Sequence, residues 1–447
     1  MARTKSKPLT CRTVRRPPHP RLPFRPPPRA SLTHALACPA ADVVLTTHGT
    51  HVFGEFGPYI RIHRLIIDES HTPEASRCDS APRLMQGRCA FAWGVTGTPL
   101  SSSVNDLGFV AGVVGHWGKY PYTLDTPGGL KLHQYTQNQA GLVDALKRLM
   151  IRHTKSQRIG GEAALSLPDA ECETVWLEMS AAEKRLYKEV QTEARRRIDM
   201  LIAEPQKAAT FCVENALRCV RQACAGAGIA PKFLCEKYGT KIDQRKFPNL
   251  SKPGGAARTK LSALLADLQA LRAKEPKLHA VVFTHHVEAY ESISECLKKH
   301  DFEVCGFKGG VQAADRHATI RAFQASIDQA AARAGTSSGA AHKKQKVGSG
   351  AKVFIATMKV GNVGITLTAA TRVYLMEPCL DPTMEVQAAG RIHRLGQTKE
   401  VLVKRFCHKD SIDKAIVELH KKIKSGGVAI ANSKFPLEAL KLLEGNI

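Results

Sequence analysis

The sequence predicts an α/β protein built as two lobes joined by helices, and three features of the 447-residue chain carry that prediction. Short apolar runs broken by Gly, Thr and Pro follow one another from Asp42: "DVVLTTHGT", "RLIIDES" and "FAWGVTGTPL". This is the texture of buried parallel strands. A second series from about Thr259 alternates helical and strand patterning, and between the two series helical periodicity dominates. A hydrophobic fraction of 43% with 23% charged residues is that of a chain that folds around cores, and the length leaves room for two or three of them.

Taken in order, residues 1–40 are Pro- and Arg-rich, as in "RRPPHPRLPFRPPPRA", with no acidic residue before Asp42. They are expected to be a disordered arm. Residues 41–135 hold the first strand series and read as the first lobe. Residues 136–256 read as a helical connector and linker: in "SAAEKRLYKEV", Ser180 and Glu183 have capping-box spacing, with Leu186 and Val190 on one face. Residues 257–425 read as the second lobe, from the helix "KLSALLADLQALRA" through the strands "HAVVFT", "FEVCGF", "KVFIAT", "RVYLME" and "VLVKRF". A low-complexity insertion at 326–350 interrupts it, and 426–447 form a helical tail.

The formal net charge of +25 points to a polyanionic partner, because clustered Lys and Arg displace counterions from a phosphate backbone. The 13 cysteines are scattered with no Cys-x-x-Cys pair, so they read as reduced thiols of an intracellular protein rather than as disulfides or a zinc site. No stretch has the length of a membrane span.

The chemistry concentrates in a few motifs. In an open parallel sheet ligands bind at the carboxyl ends of strands, where Asp68 and Glu69 fall in "RLIIDESH". There, an Asp holds Mg²⁺ through water and a Glu deprotonates the attacking water of a nucleotide hydrolase, with His71 coupling the site to the second lobe. "VTGTPL" ends a strand in a tight turn carrying Thr98, and "VVFTHH" places Thr284 and two imidazoles at another strand end. "ATMKVGNVGITL" brings Gly361 and Gly364, which allow close backbone approach, together with Lys359, Asn362 and Thr366, which suit phosphate contact. In "QAAGRIHRLGQ", a helix would put Gln387, Arg391 and Arg394 on one face. Two guanidiniums so placed neutralise charge on a transferring phosphoryl group, an effect of about 10³- to 10⁵-fold in rate.

In this order, "DVVLTT", "LIIDESH", "VTGTPL", "VRQAC", "AVVFTHH", "ATMKVGNVGITL" and "EVQAAGRIHRLGQTKEVLVKRF" resemble the SWI/SNF-type ATPases of helicase superfamily two over roughly residues 41–425. The run "MEPCLDPTMEVQAAGRIHRLGQTK" looks most similar to the branch typified by the histone-linker, PHD and RING helicase. The resemblance implies two RecA-like lobes with ATP and Mg²⁺ in the cleft, translocation on double-stranded DNA, action on chromatin or DNA-bound proteins, and a nuclear location. It further implies that Asp68 holds the Mg²⁺, that Glu69 is the base and that Arg391 and Arg394 are the arginine fingers. Thr46, Thr47, Thr98, Thr284, Lys359 and Asn362 would contact nucleic acid, and Gly361 and Gly364 would join the arginines at the nucleotide.

The chain departs from the family pattern in several places. No Gly-rich loop ending Gly-Lys-Ser or Gly-Lys-Thr occurs, so the first lobe is expected to be incomplete at its N-terminal side and the less stable half. Cys379, Leu380 and Asp381 replace residues usual before the last motif, and "VRQACAG" lacks the family's His-Pro. Ring-finger cysteine pairs are absent, so no zinc is expected. Two readings stay open: a DNA-dependent ATPase whose start has been misassigned or lost, and a basic DNA- or chromatin-binding protein that does not hydrolyse ATP.

Overall fold

The computed structural model describes residues 12–14, 43–45, 62–70, 89–97, 147, 150–154, 157–163, 165–225, 258–324, 350–358, 365–428, 435–445 and 447. The chain divides into two compact units, Met1–Arg152 and His153–Ile447.

In the first unit, β1 (Arg12–Val14) pairs antiparallel with β2 (Val43–Leu45), and β3 (Ile62–Ile67) pairs parallel with β4 (Cys89–Gly94). β1 lies inside the arm expected to be disordered. The triplet "RTV" offers a β-branched pair free of proline, so it can donate the ladder hydrogen bonds that the neighbouring proline-rich sequence cannot. The parallel direction of β3 and β4 matches expectation, but their burial does not: Ile66 is 56% exposed and Trp93 51% exposed. The described residues of this unit comprise little beyond these strands, so neither face of the pair carries a described layer. Arg64 lies over the Trp93 ring, 4.8 Å from its centroid.

The second unit carries the α/β fold. Its sheet has six strands, all parallel, in the order β7-β12-β11-β8-β10-β9. These are β7 (Ala170–Leu177), β8 (His279–Thr284), β9 (Glu303–Phe307), β10 (Lys352–Thr357), β11 (Arg372–Leu375) and β12 (Val401–His408). A short antiparallel hairpin of β5 (Arg158–Ile159) and β6 (Glu162–Ala163) precedes them. β7 falls in the stretch expected to be a helical connector. Its alternating "AECETVWL" pairs with β12 over all eight residues and makes it the edge of the sheet.

Strand periodicity divides the central residues between two faces. Ala280, Val282, Val353, Ile355 and Tyr374 pack against α3 (Thr259–Lys274) and α4 (Val287–Lys299). Val281, Phe283, Phe354, Ala356, Val373 and Leu375 pack with Phe323 of α5 (Ala313–Gln324) and Ala388 of α6 (Pro382–Ala389). Runs apolar at every position are what a sheet covered on both sides requires. β9 approaches β10 closely at Gly306, whose φ is +141° and whose Cβ, if present, would stand 1.9 Å from the Ile355 carbonyl oxygen.

A third core joins α1 (Ala181–Ala203), α2 (Thr210–Ala225), α7 (Ile412–Lys424) and α8 (Leu437–Glu444). Ser180 and Glu183 form the expected capping box. The Glu183 carboxylate also accepts from the Thr259 amide at 3.0 Å, so α1 and α3 share one cap. At the centre lies a buried ion pair, Lys260 with Asp413 at 2.7 Å, their side chains 0% and 2% exposed. Lys260 Nζ also donates to the Met376 carbonyl at 2.9 Å, and Asp413 accepts from the His408 amide at 3.1 Å. Burial, the largest single influence, works to lower the lysine's pKa, but the facing Asp413 carboxylate together with Cys224, Cys407 and Glu377 outweighs it and the pKa stands above its ordinary value. None of the helices among the described residues is long and apolar enough to cross a membrane.

Two stability predictions follow from these packing constraints. Lys260→Met leaves Asp413 buried and unpaired and should cost about 3–5 kcal/mol in urea denaturation. The double change Lys260→Met with Asp413→Leu should recover most of that loss. Gly306→Ala must displace β9 from β10 and should lower stability by about 3 kcal/mol or more by the same measurement.

Candidate functional site

The first cluster of interest follows β3. Asp68, Glu69 and Ser70 form a turn at the carboxyl end of that strand. Ser70 is buried, and both its amide, at 3.1 Å, and its hydroxyl, at 3.3 Å, donate to the Val95 carbonyl beyond β4. The Val95 amide returns a bond to the Ile67 carbonyl at 2.8 Å, which locks the turn to the strand pair. Glu69 has a φ of +47°, a conformation that costs a non-glycine residue about 1–3 kcal/mol. Its amide donates to Asp68 Oδ1 at 3.0 Å. Such strain concentrates where surrounding structure fixes a side chain for use.

The exposed Asp68 carboxylate supplies the hard oxygen donors that Mg²⁺ takes while keeping most of its water and sharing substrate phosphates. Among the described residues no group of three or more His, Cys, Asp or Glu is placed to hold a metal by itself. The residues present therefore fit a hydrated Mg²⁺ brought with a nucleotide rather than an all-protein metal centre.

The second cluster sits at the carboxyl ends of the strands in the second unit. Thr284, expected to touch nucleic acid, is fully buried, and its hydroxyl donates to both oxygens of Glu377 at 3.0 and 3.1 Å. That expectation is corrected: Thr284 links the end of β8 to the end of β11. The Glu377 carboxylate accepts in addition from the His285 amide at 2.9 Å, and burial raises its pKa despite these donors and the nearby Lys260. His286 is pushed down to about 3, first by burial and then by the cations Arg221, Lys260 and Arg218. It is a neutral ring at physiological pH.

Past β11 the chain enters α6, which brings the last motif. Asp381 caps the helix by accepting from the Thr383 amide at 2.8 Å. Glu385 in the first turn accepts from the Cys379 amide at 2.9 Å and pairs with Arg405.

The helix then stops. Gly390 is its C-cap, so Gln387 lies on α6 whereas Arg391 and Arg394 lie in the turns beyond. The expected single helical face for all three is corrected, because the helix ends at Ala389 and the chain beyond tightens into turns, the Arg391 and Ile392 amides donating to the Ala388 and Ala389 carbonyls.

The loop after Gly390 is nevertheless fixed. The Arg391 carbonyl accepts from the Leu367 amide at 2.9 Å, and Ile392 is buried. Gln397, 5% exposed, donates through Nε2 to the carbonyls of Ala370 at 2.9 Å and Thr368 at 3.1 Å. Its Oε1 accepts from the amides of Thr398 and Lys399, both at 3.0 Å. Gly396, with φ +98°, supplies the turn that lets Gln397 fold back. On this anchored loop Arg394 is exposed, and its neighbour Leu395 is 77% exposed.

His71, Thr46, Thr47, Thr98, Lys359, Gly361, Asn362 and Gly364 lie outside the described residues. Sequence reasoning missed the roles of Arg221, Lys260, Glu385 and Gln397. The available signal was a charged or amide side chain set in an apolar run, as in "CVRQACA".

The SNF2-related match found by comparison with known proteins runs across the boundary between the two units. The family model described as SNF2-related domain matches residues 29–226, and that described as helicase conserved C-terminal domain matches residues 336–396. The human "Helicase-like transcription factor" is 22% identical over 88% of this chain and 46% of its own length. "DNA repair protein RAD5B" of Arabidopsis thaliana is 22% identical over 87% of this chain and 37% of its own length. The chain thus spans less than half of either relative. Among solved structures, the C-terminal part of the Fun30 ATPase domain is 18% identical, with a TM-score of 0.43 over 63% of this chain and 98% of that one. In order along its sequence, then, the chain carries matches to an SNF2-related domain and a helicase conserved C-terminal domain.

Proposed function

We propose that this chain works as an ATP-driven motor on double-stranded DNA in the nucleus, serving chromatin remodelling or DNA repair. The observation that carries the reading is the loop pinned by Gln397, which holds its backbone rigid while presenting Arg394 to solvent. Fixing a flexible cation in advance is what stabilisation of a transferring phosphoryl group demands. In the first unit, the strained Glu69 and exposed Asp68 stand on a stapled turn suited to the water and the metal ion.

In this reading Glu69 accepts a proton from the attacking water, and Arg391 and Arg394 neutralise charge building on the phosphoryl oxygens. Asp68 would hold Mg²⁺ through water, and the ion supplies charge neutralisation on the nucleotide phosphates. Gln387 on α6 would orient the nucleotide beside the arginines. Gly361 and Gly364 would let the backbone approach the nucleotide. Thr46, Thr47, Thr98, Lys359 and Asn362 would contact the DNA backbone, and His71 would link nucleotide and DNA events. The net charge of +25 supports sequence-independent binding to phosphates. Chromatin proteins or other DNA-bound proteins would be the load, and the name of the DNA-repair relative supports the repair role.

A second reading, DNA binding without turnover, is favoured by one observation: no Gly-Lys-Ser or Gly-Lys-Thr loop occurs in these 447 residues. ATP turnover with and without duplex DNA separates the two. The first reading expects duplex-stimulated turnover that Glu69→Gln reduces by about 10²- to 10⁴-fold, with Arg394→Ala lowering kcat while nucleotide binding persists. Salt-dependent duplex binding with no turnover in any variant establishes the second reading instead.

A further inference from the structure

We propose that Arg221 is a positioning residue for the arginine loop, coupling α2 to α6 through the carbonyl of Pro378; the catalytic part of this inference rests on the function proposed above. Between the end of β11 and the start of α6 the chain is buried from Met376 to Leu380. Buried carbonyls must find donors or cost the fold a desolvated polar group. Three of them are met from three different helices. Lys260 of α3 donates to Met376 at 2.9 Å, Arg221 of α2 to Pro378 at 3.1 Å and His420 of α7 to Cys379 at 2.6 Å.

Arg221 differs from the other two donors in both place and state. It belongs to the segment matched by the SNF2-related domain, residues 29–226, yet it is built into the unit that carries the helicase C-terminal match. It is only 7% exposed, and while Nη2 holds the Pro378 carbonyl, Nε is buried with no hydrogen-bond partner. An unmet buried donor destabilises the fold, so an apolar residue would serve packing alone better. What the guanidinium provides is a directed, charge-assisted bond to one carbonyl.

From that carbonyl the path to the arginines is short and stiff. The next residue, Cys379, gives its amide to Glu385, which is locked to Arg405 within the first turn of α6. α6 then delivers Gln387 and, past Gly390, Arg391 and Arg394. Gln397 clamps the far end of the loop. The arginine loop is therefore held at both ends, and the near end is set by a side chain of α2. Movement of α2 along its axis changes where the arginines stand.

The test uses the full chain and compares wild type with Arg221→Gln, Arg221→Lys and Leu443→Ala. Leu443, buried in α8, belongs to the same helical core but takes no part in the hydrogen bonds that hold the loop, so its truncation loosens that core alone. Arg221→Gln should accelerate amide exchange across residues 379–397 by about tenfold or more, Arg221→Lys should restore much of the protection, and Leu443→Ala should leave it within about twofold. Equal acceleration by Arg221→Gln and Leu443→Ala, or no acceleration in either, overturns the proposal. If Arg221→Gln does not fold, Arg221→Lys carries the comparison, since it keeps a cation but loses the planar fork: faster exchange than Leu443→Ala supports the proposal and equal exchange defeats it. Where wild type hydrolyses ATP, Arg221→Gln should lower kcat with KM unchanged, and an unchanged kcat removes the catalytic half of the inference. A wild type without turnover ends the ATPase reading, while the exchange comparison still decides whether Arg221 holds the loop.

Discussion

The second unit depends on the ion pair of Lys260 with Asp413. One ammonium, fully buried, joins the start of α3, the carbonyl that ends β11 and the first turn of α7. Charges taken this far from water persist only where each is met by an opposite charge and by further hydrogen bonds. Both conditions hold, since Asp413 also accepts the His408 amide. Because the pair sits where the sheet core meets the four-helix core, it sets the relation between them. The loop after β11, and through it α6 and the arginines, inherits that placement.

Around this node the polar groups form successive tiers of one design. Tyr374 of β11 donates to Asp267 of α3 at 2.6 Å, and Lys404 of β12 pairs with the same carboxylate at 2.7 Å, which locks α3 to two strands. Thr284 and Glu377 join the carboxyl ends of β8 and β11. Glu385 and Arg405 then fix α6, and Gln397 closes the loop beyond it. Buried networks of this kind favour one arrangement, because a slip strands a charge or an amide. A site meant to present Arg394 in a defined place needs that specificity more than it needs extra stability.

Much of the second unit was legible in the sequence. Apolar runs such as "HAVVFT" and "KVFIAT" became central strands, and Ser180 with Glu183 became a capping box. β7 was missed although "AECETVWL" alternates, because one half-exposed edge strand is a weaker signal than the helices that follow it. The common face assigned to Gln387, Arg391 and Arg394 failed because spacing was read past Ala389, where the helix ends and tighter turns begin. Arg221, Lys260 and Gln397 were not legible as anchors. Their partners lie far away in sequence or are backbone carbonyls, and neither leaves a periodic trace. In the first unit, Asp68 and Glu69 were placed correctly at a strand end, while the strain at Glu69 is a backbone property that no residue pattern announces.

The central claim is that the segment between β11 and α6 belongs to the rigid core and hands that rigidity to the arginines. Amide exchange of wild-type protein across a range of subdenaturing urea concentrations tests it most directly. The account predicts that the Cys379 amide, bonded to Glu385, exchanges through the same unfolding event as the Tyr374 amide in β11, with the same free energy and the same dependence on urea. Exchange of Cys379 through a smaller, urea-independent opening while Tyr374 stays protected would contradict it.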